Sequence, residues 1–180
     1  MKFVILDRDG VINEDSDAFI KSPAEFLPIA GSIDGIVRLK LAGYTVVIAS
    51  NQSGLARGLF SLSTLHEIHQ KLHDLLQPYG VRLDGIFFCP HGPDDDCQCR
   101  KPKPGLLLDI ARRFQVDLKT VTVVGDAMRD IDAARAVQAN PVLVLTGKGR
   151  QTRKSAKELG KVPCYKSLSH FVDGILAEES

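Results

Sequence analysis

Three aspartates stand where apolar segments of the chain end. Asp7 and Asp9 follow the apolar run at residues 3–6 and precede Gly10, and Asp126 follows another run at residues 121–124. Carboxylates are the ligands that a hard divalent cation prefers, and Mg²⁺ also keeps positions for water and for substrate phosphate. These residues predict a Mg²⁺ site that binds a phosphate group.

The two acids at positions 7 and 9 could together carry out phosphoryl transfer. One carboxylate can attack phosphorus to give an aspartyl-phosphate that water then opens, provided that a cation screens the charge of the phosphate. The other can protonate the departing alkoxide and later deprotonate the attacking water. A simpler interpretation is that residues 7–10 form an ordinary turn, because Asp and Gly favour turns.

The elements that must position these acids alternate along the chain. Apolar runs typical of strands covered on both faces lie at residues 3–6, 45–49, 86–88, 121–124 and 142–145. Helical periodicity or helix boundaries occur at about 33–41, 61–76, 104–114, 130–137 and 168–176. This alternation predicts an α/β fold, a Rossmann-like three-layer sandwich with a mainly parallel sheet. Ligands of such sheets bind beyond the carboxyl ends of the strands, so residues 7–10, 50–54 and 125–126 should converge there, which argues against the simple turn.

Length and composition indicate one compact domain over residues 1–180. Its 23 basic and 22 acidic side chains give a formal net charge of +1, without the basic excess of a nucleic-acid-binding protein. No apolar run reaches membrane-spanning length, and the first residues are too few for a signal peptide. We expect a cytoplasmic monomer without nucleic-acid or membrane partners.

Three of the four cysteines crowd into one polar loop at residues 89–99. Cys89, His91, Cys97 and Cys99 offer three thiolates and one imidazole, a set that suits structural, tetrahedral Zn²⁺. The spacing is tighter than that of common zinc fingers, and the alternative is a loop with cysteines but no metal. We expect a zinc-bound loop that fixes the residues following it.

Four motifs resemble, in order and spacing, those of the haloacid dehalogenase-like phosphohydrolases. They lie at residues 7–13, 50–52 and 100–104, and at Gly125–Asp126 with Asp130. The resemblance implies that Asp7 is the nucleophile and Asp9 the general acid/base. It implies that Mg²⁺ is bound by Asp7, Asp126 and the backbone carbonyl of Asp9. Asp130 could orient the metal ligands or act only as an acid at a helix N-terminus.

The resemblance also implies how the phosphoryl group is held. Ser50 would donate a hydrogen bond to it, Lys101 would neutralise its charge, and Arg100 would contact the substrate. The segments between the motifs are too short for a cap domain, so specificity must come from loops. The expected substrate-binding residues are Asp15, Ser16, Asp17, Ala18, Ser50, Asn51, Gln52, Ser53, Arg100 and Lys101.

One branch of that family carries the same Cys/His loop and contains heptose bisphosphate and histidinol-phosphate phosphatases. The motifs are most similar to the former, which implies hydrolysis of the 7-phosphate of D-glycero-D-manno-heptose 1,7-bisphosphate. Ala127 is a departure, because some of these enzymes have a lysine there. The alternatives are a phosphatase for histidinol phosphate or another small phosphoester, and a non-catalytic zinc-stabilised binding module.

Three further features have less specific interpretations. His66, His69 and His73 share one flank of a predicted helix, which we interpret as solvent-exposed. Cys164 is expected to be a partly buried small hydrophobic residue. Residues 146–149 could either contact phosphate or form a flexible loop.

Overall fold

The computed structural model describes residues 2–178, which contain one six-stranded sheet. Its strands are β1 (Phe3–Leu6), β2 (Thr45–Asn51), β3 (Gly85–Cys89), β4 (Thr122–Gly125), β5 (Asn140–Val144) and β6 (Cys164–Tyr165). All neighbouring pairs are parallel, in the order β3-β2-β1-β4-β5-β6. The predicted parallel α/β sheet is confirmed. The two-residue edge strand β6 was not predicted, because its apolar run is too short to give a pattern.

Within residues 2–178, six helices connect the strands and cover the sheet. They are α1 (Ser32–Leu41), α2 (Leu62–Leu76), α3 (Gly105–Phe114), α4 (Met128–Ala136), α5 (Gly149–Ser155) and α6 (Leu168–Glu178). The short, strongly basic α5 was not predicted, because it has no apolar stripe. Among residues 2–178, no helix has both the length and the apolar character that a membrane span requires.

Side chains of β1 alternate between two hydrophobic cores, one on each face of the sheet. Val4 and Leu6 pack into the core that α1, α2 and α6 cover, whereas Phe3 and Ile5 pack into the core covered by α3 and α4. This alternation follows from the two-residue period of a strand. Because both faces are covered, every position of β1 is apolar and buried.

The strand register brings the polar segments to one edge of the sheet. Leu6 of β1 is aligned with Ile48 of β2 and Val124 of β4. The next residue of each strand is therefore level with Asp7, and Ser50 and Asp126 lie one residue further on. The predicted convergence of strand ends is confirmed.

The loop between β1 and α1 is attached to the domain at its base. Lys71 of α2 donates hydrogen bonds to the backbone carbonyls of Pro23 (2.7 Å) and Phe26 (2.8 Å). Ser32, at the start of α1, donates to the carbonyl of Ile12 (2.6 Å). Within the described part of the chain this loop contains one 3₁₀ turn and no folded cap, as predicted.

Candidate active site

Three buried carboxylates meet at the carboxyl ends of β1 and β4. One oxygen each of Asp7, Asp126 and Asp130 lies within 4.8 Å of the others. The Oδ2 atom of Asp126 accepts a hydrogen bond from the backbone N–H of Lys148 (2.8 Å), whereas its Oδ1 atom is buried without a hydrogen-bond partner. Asp130 belongs to this cluster, although it also accepts from the backbone N–H of Ala127 at the start of α4 (3.1 Å).

The electrostatics of this cluster fit a divalent cation. Burial raises the pKa of Asp7 to about 6, with the charge of Asp130 adding to the effect and Lys101 opposing it. Burial and the charge of Asp7 raise the pKa of Asp126 to about 7. The carboxylates thus repel one another, and one oxygen has no donor. Such a set of oxygens suits Mg²⁺, which would offset the repulsion between the carboxylates and would coordinate the oxygen that lacks a donor.

Lys101 is the buried cation that pairs with the carboxylate cluster. Its Nζ lies 3.1 Å from Asp7 Oδ1 and 2.7 Å from Asp130 Oδ1, and it donates to the carbonyl of Ala49 (2.7 Å). Burial would lower the pKa of Lys101, but Asp130 and Asp7 hold it above its ordinary value. Asn51 fixes the Lys101 backbone, accepting from its N–H and donating to its C=O (both 3.0 Å). The Asn51 amide therefore positions Lys101 whether or not it also binds substrate.

The Asp9 carboxylate lies outside the carboxylate cluster and is held by three side chains. It accepts hydrogen bonds from Asn13 (2.9 Å) and Gln52 (2.9 Å) and forms an ion pair with Arg8 (2.9 Å). Burial would raise the pKa of Asp9, but the Arg8 charge and these hydrogen bonds lower it. Gln52 also donates to the buried hydroxyl oxygen of Ser50 (2.8 Å). Sequence reasoning missed Arg8, because only the fold reveals that it points inwards.

Two glycines allow the loop after β5 to contact the Asp126 carboxylate. Gly10 (φ +84°) and Gly147 (φ +53°) have left-handed backbones, and a Cβ atom at either position would overlap Asp126 Oδ2. Thr146 donates from Oγ1 to the carbonyl of Gly10 (2.7 Å), which joins the two loops. Residues 146–149 thus hold Asp126 in place and are not a free loop.

A cavity of about 220 Å³ opens beside Asp9 and is the candidate substrate site. Seven predicted substrate-binding residues line it, namely Asp15, Ser16, Asp17, Asn51, Gln52, Ser53 and Arg100. Ala18 instead lines a neighbouring cavity. Ser50 and Lys101 are buried and outside the lining residues, so the structure does not bring them to the cavity surface.

Three further cations line this cavity, namely Arg57, Arg129 and Lys148. Arg57 and Arg129 were not predicted, and Lys148 was considered only as part of residues 146–149. Arg129 Nη2 lies 4.0 Å from Asp7 Oδ2, and Lys148 Nζ pairs with Asp15 (3.5 Å) and Asp17 (3.3 Å). The position of Arg129, directly before Asp130, was a usable signal, because it lies in the first turn of α4 near Asp126.

The four predicted zinc ligands are brought together. Their ligand atoms all lie within 4.8 Å of one another, with Cys89 Sγ 3.6 Å from Cys97 Sγ and 3.2 Å from Cys99 Sγ, and His91 Nδ1 3.2 Å from Cys99 Sγ. Tetrahedral Zn²⁺ separates two sulfur ligands by roughly 3.8 Å, given bonds of about 2.3 Å. The set therefore fits Zn²⁺, immediately before Arg100 and Lys101.

The interpretation of the helical histidines is wrong for one of them. His69 is buried, and its Nε2 lies 3.3 Å from Nη1 of Arg8, whereas His66 is exposed and His73 partly exposed. A helical projection places His69 on a solvent-exposed flank of α2. In the folded protein, this flank packs against the loop after β1, which carries Arg8.

Comparison with known proteins agrees with this geometry. The family model described as HAD-hyrolase-like matches residues 98–170. Two proteins named D-glycero-beta-D-manno-heptose-1,7-bisphosphate 7-phosphatase are similar in sequence. The one from Bordetella bronchiseptica is 58% identical over 84% of this chain and 85% of its own, and the one from Pseudomonas putida is 55% identical over 84% and 87%.

Solved structures give the same assignment. The D,D-heptose 1,7-bisphosphate phosphatase of B. bronchiseptica, complexed with magnesium and phosphate, superimposes with a TM-score of 0.96 at 51% identity, covering 99% of both chains. The corresponding enzyme of Burkholderia thailandensis gives a TM-score of 0.78 at 39% identity, over 98% of this chain and 99% of its own. The resemblance found in the motifs is confirmed, and the chain belongs to the HAD-like hydrolase family, in the group that includes the heptose-1,7-bisphosphate 7-phosphatases.

Proposed function

We propose that this protein is a Mg²⁺-dependent phosphatase that removes the 7-phosphate of D-glycero-D-manno-heptose 1,7-bisphosphate. The observation that carries the proposal is the meeting of Asp7, Asp126 and Asp130 with Lys101 beside a cavity lined by cations. The similar enzymes are named as 7-phosphatases of the beta-configured heptose 1,7-bisphosphate, which supports this substrate and its beta anomer.

Asp7 is the proposed nucleophile. Its carboxylate forms a bond to phosphorus while the bond from phosphorus to the sugar oxygen breaks, and Lys101 stabilises the charge of the phosphoryl group. Asp7, Asp126 and the backbone carbonyl of Asp9 would hold Mg²⁺, which would supply charge neutralisation for this attack. Asp130 positions Lys101 by its ion pair.

Asp9 is the proposed general acid and base. It gives its proton to the departing sugar oxygen and then takes one from the water that opens the aspartyl-phosphate. Because Arg8 keeps Asp9 ionised in the free protein, the first proton must be acquired as substrate binds, from its phosphate or from water. Gln52 holds both Asp9 and Ser50, so the phosphoryl contact proposed for Ser50 is aligned with the acid.

The remaining cations suit a second phosphate. Arg57, Arg100, Arg129 and Lys148 line the cavity beside Asp9, and a bisphosphate brings one dianion to Asp7 and another to its far end. Arg129 would compensate for the Ala127 departure, because it approaches the same strand end from the first turn of α4.

The zinc loop has a proposed structural role. Cys97 and Cys99 lie just before Arg100 and Lys101 in the chain. A loop fixed by Zn²⁺ would therefore fix the positions of both cationic side chains at the active site. Zn²⁺ needs reduced thiols, which supports a cytoplasmic location.

One sheet runs through residues 3–165, which supports a single domain over 1–180, and we propose that the enzyme acts as a monomer.

A kinetic comparison tests the substrate. Phosphate release would be measured with Mg²⁺ for both anomers of the heptose bisphosphate, for histidinol phosphate and for a 5′-phosphorylated oligonucleotide. We expect the beta heptose bisphosphate to be preferred by at least about tenfold in kcat/KM, or about 1.4 kcal/mol. A preference for histidinol phosphate would replace the substrate assignment, and no release from any of them would indicate a binding module instead.

A further inference from the structure

Arg8 is a charged side chain in the interior, and its contacts define its role. It is completely buried, so its charge must be paired and its N–H groups must find acceptors. Nε donates to Asp9 Oδ1 (3.1 Å), and Nη2 donates to both Asp9 oxygens (2.9 and 3.1 Å) and approaches Gln52 Oε1 (3.3 Å). The other terminal nitrogen, Nη1, faces His69 Nε2 at 3.3 Å.

We propose that His69 is a positioning residue for catalysis, whose neutral imidazole accepts a hydrogen bond from Arg8 and so fixes the guanidinium plane that orients the Asp9 carboxylate. The inference rests on the proposed role of Asp9 as general acid and base. His69 belongs neither to the carboxylate cluster nor to the residues that line the cavity, so its proposed effect is exerted through Arg8.

The chemistry of the two groups decides the tautomer of His69. A guanidinium has donors and no acceptor, so the facing Nε2 must accept and the ring proton must sit on Nδ1. A protonated ring would place a second cation against Arg8 in a buried site. Burial and the Arg8 charge accordingly lower the pKa of His69 to about 3, in agreement with a permanently neutral ring.

The fold holds His69 rigidly enough for this role. Leu65, Ile68 and Leu72 bury the apolar stripe of α2, and the imidazole packs against the Phe88 ring of β3 with 6.1 Å between ring centroids. The position of Nε2 is therefore set by the helix and the sheet, independently of the loop that carries Arg8 and Asp9.

The expected consequence of losing the acceptor concerns proton transfer more than binding. His69 is the acceptor that the structure shows for Nη1 of Arg8. Without it, Nη1 has no acceptor and the guanidinium is held only by its Asp9 and Gln52 contacts, so its plane, and with it the Asp9 carboxylate, is less firmly fixed. Proton donation matters for an alkoxide leaving group but little for p-nitrophenolate, which departs unprotonated. This difference gives a readout that a merely structural role would not produce.

The test compares His69→Leu, which removes the acceptor, with His69→Gln, whose amide oxygen can occupy the place of Nε2. His66→Leu, on the exposed face of the same helix, is the matched control. For His69→Leu we expect kcat/KM on the sugar bisphosphate to fall about 10- to 100-fold, part of the roughly 10²–10⁴ that general acid catalysis supplies. On p-nitrophenyl phosphate we expect kcat/KM to change by less than about threefold. His69→Gln and His66→Leu should both stay near wild type.

Each outcome decides the inference. Equal losses on both substrates, or no loss on either, would overturn the positioning role, as would failure of His69→Gln to restore the sugar bisphosphate reaction. If His69→Leu does not fold, His69→Asn serves instead, since its shorter amide cannot reach Arg8, and the same split between substrates is expected. A wild-type protein that cleaves neither substrate would overturn the proposed function itself, and this inference with it.

Discussion

Replacing Lys101 by Met tests the charge balance of the site most directly. Lys101 is 3% exposed, and its ammonium lies between Asp7 and Asp130. Methionine keeps much of the chain's volume but leaves the carboxylates without their nearest cation, because Arg129 stays 4.0 Å from Asp7. The substitution should destabilise the metal-free protein and make it depend more strongly on Mg²⁺.

The magnitude follows from the burial of the pair. Removing one partner of a buried ion pair costs about 3–5 kcal/mol. For a chain of this length each kcal/mol lowers Tm by about 2–4 °C, so Tm in magnesium-free buffer should fall by roughly 6–20 °C. Lys101 and Mg²⁺ compensate the same carboxylates, so the variant should bind Mg²⁺ more tightly and its Tm should rise more on addition of the metal.

The assay is thermal unfolding of both proteins with and without millimolar Mg²⁺, in buffer free of chelators so that zinc is retained. Lys103→Met is the matched control, because Lys103 lies two residues away and pairs with Asp96 at the surface, and it should leave Tm unchanged. Phosphate release by Lys101→Met should be lost even with saturating Mg²⁺. An unchanged Tm in magnesium-free buffer, or a Mg²⁺-induced rise no larger than that of wild type, would refute the proposed charge balance.

Three further predictions address the nucleophile, the zinc loop and the support of Asp126. Asp7→Asn should abolish phosphate release while leaving the circular dichroism spectrum unchanged; turnover comparable to wild type would exclude Asp7 as the nucleophile. Cys97→Ser should lower the zinc content, measured by elemental mass spectrometry, from about one Zn²⁺ per chain and weaken substrate binding more than global stability; unchanged KM in the zinc-free protein would contradict the positioning role of the loop. Gly10→Ala should remove the Mg²⁺-dependent rise in Tm, because the added Cβ would overlap Asp126. The control is Gly43→Ala, where φ is a similar +82° but the space around the residue is open. This variant should lose only about 1–2 kcal/mol of stability, from backbone strain. Equal effects of the two alanines would mean that backbone strain alone is responsible.

The part of the site built on strand ends was predictable from sequence. Continuous apolar runs identified β1, β2 and β4, and a parallel register necessarily brings Asp7, Ser50 and Asp126 to one edge. The zinc ligands were predictable for a different reason, since all four lie within eleven residues and soft ligands so close together have few other uses.

The supporting contacts were not predictable, because they depend on how distant segments pack. Nothing in the spacing indicated that His69 would meet Arg8, 61 residues earlier, since a hydrophobic periodicity describes the centre of a buried face and not its margin. The pairing of Lys148 with Asp15 and Asp17 likewise depends on two loops that approach each other only in the folded protein.

The Lys71 contacts have a consequence for altering substrate preference. Lys71 binds the backbone carbonyls of Pro23 and Phe26, and the Phe26 side chain is buried in the core, so this anchorage does not depend on the side chains of residues 14–22. Residues 14–22 could therefore be exchanged for a segment from another phosphatase while the anchorage survives. Recognition would then be re-engineered by transplanting one segment, with the catalytic carboxylates left untouched.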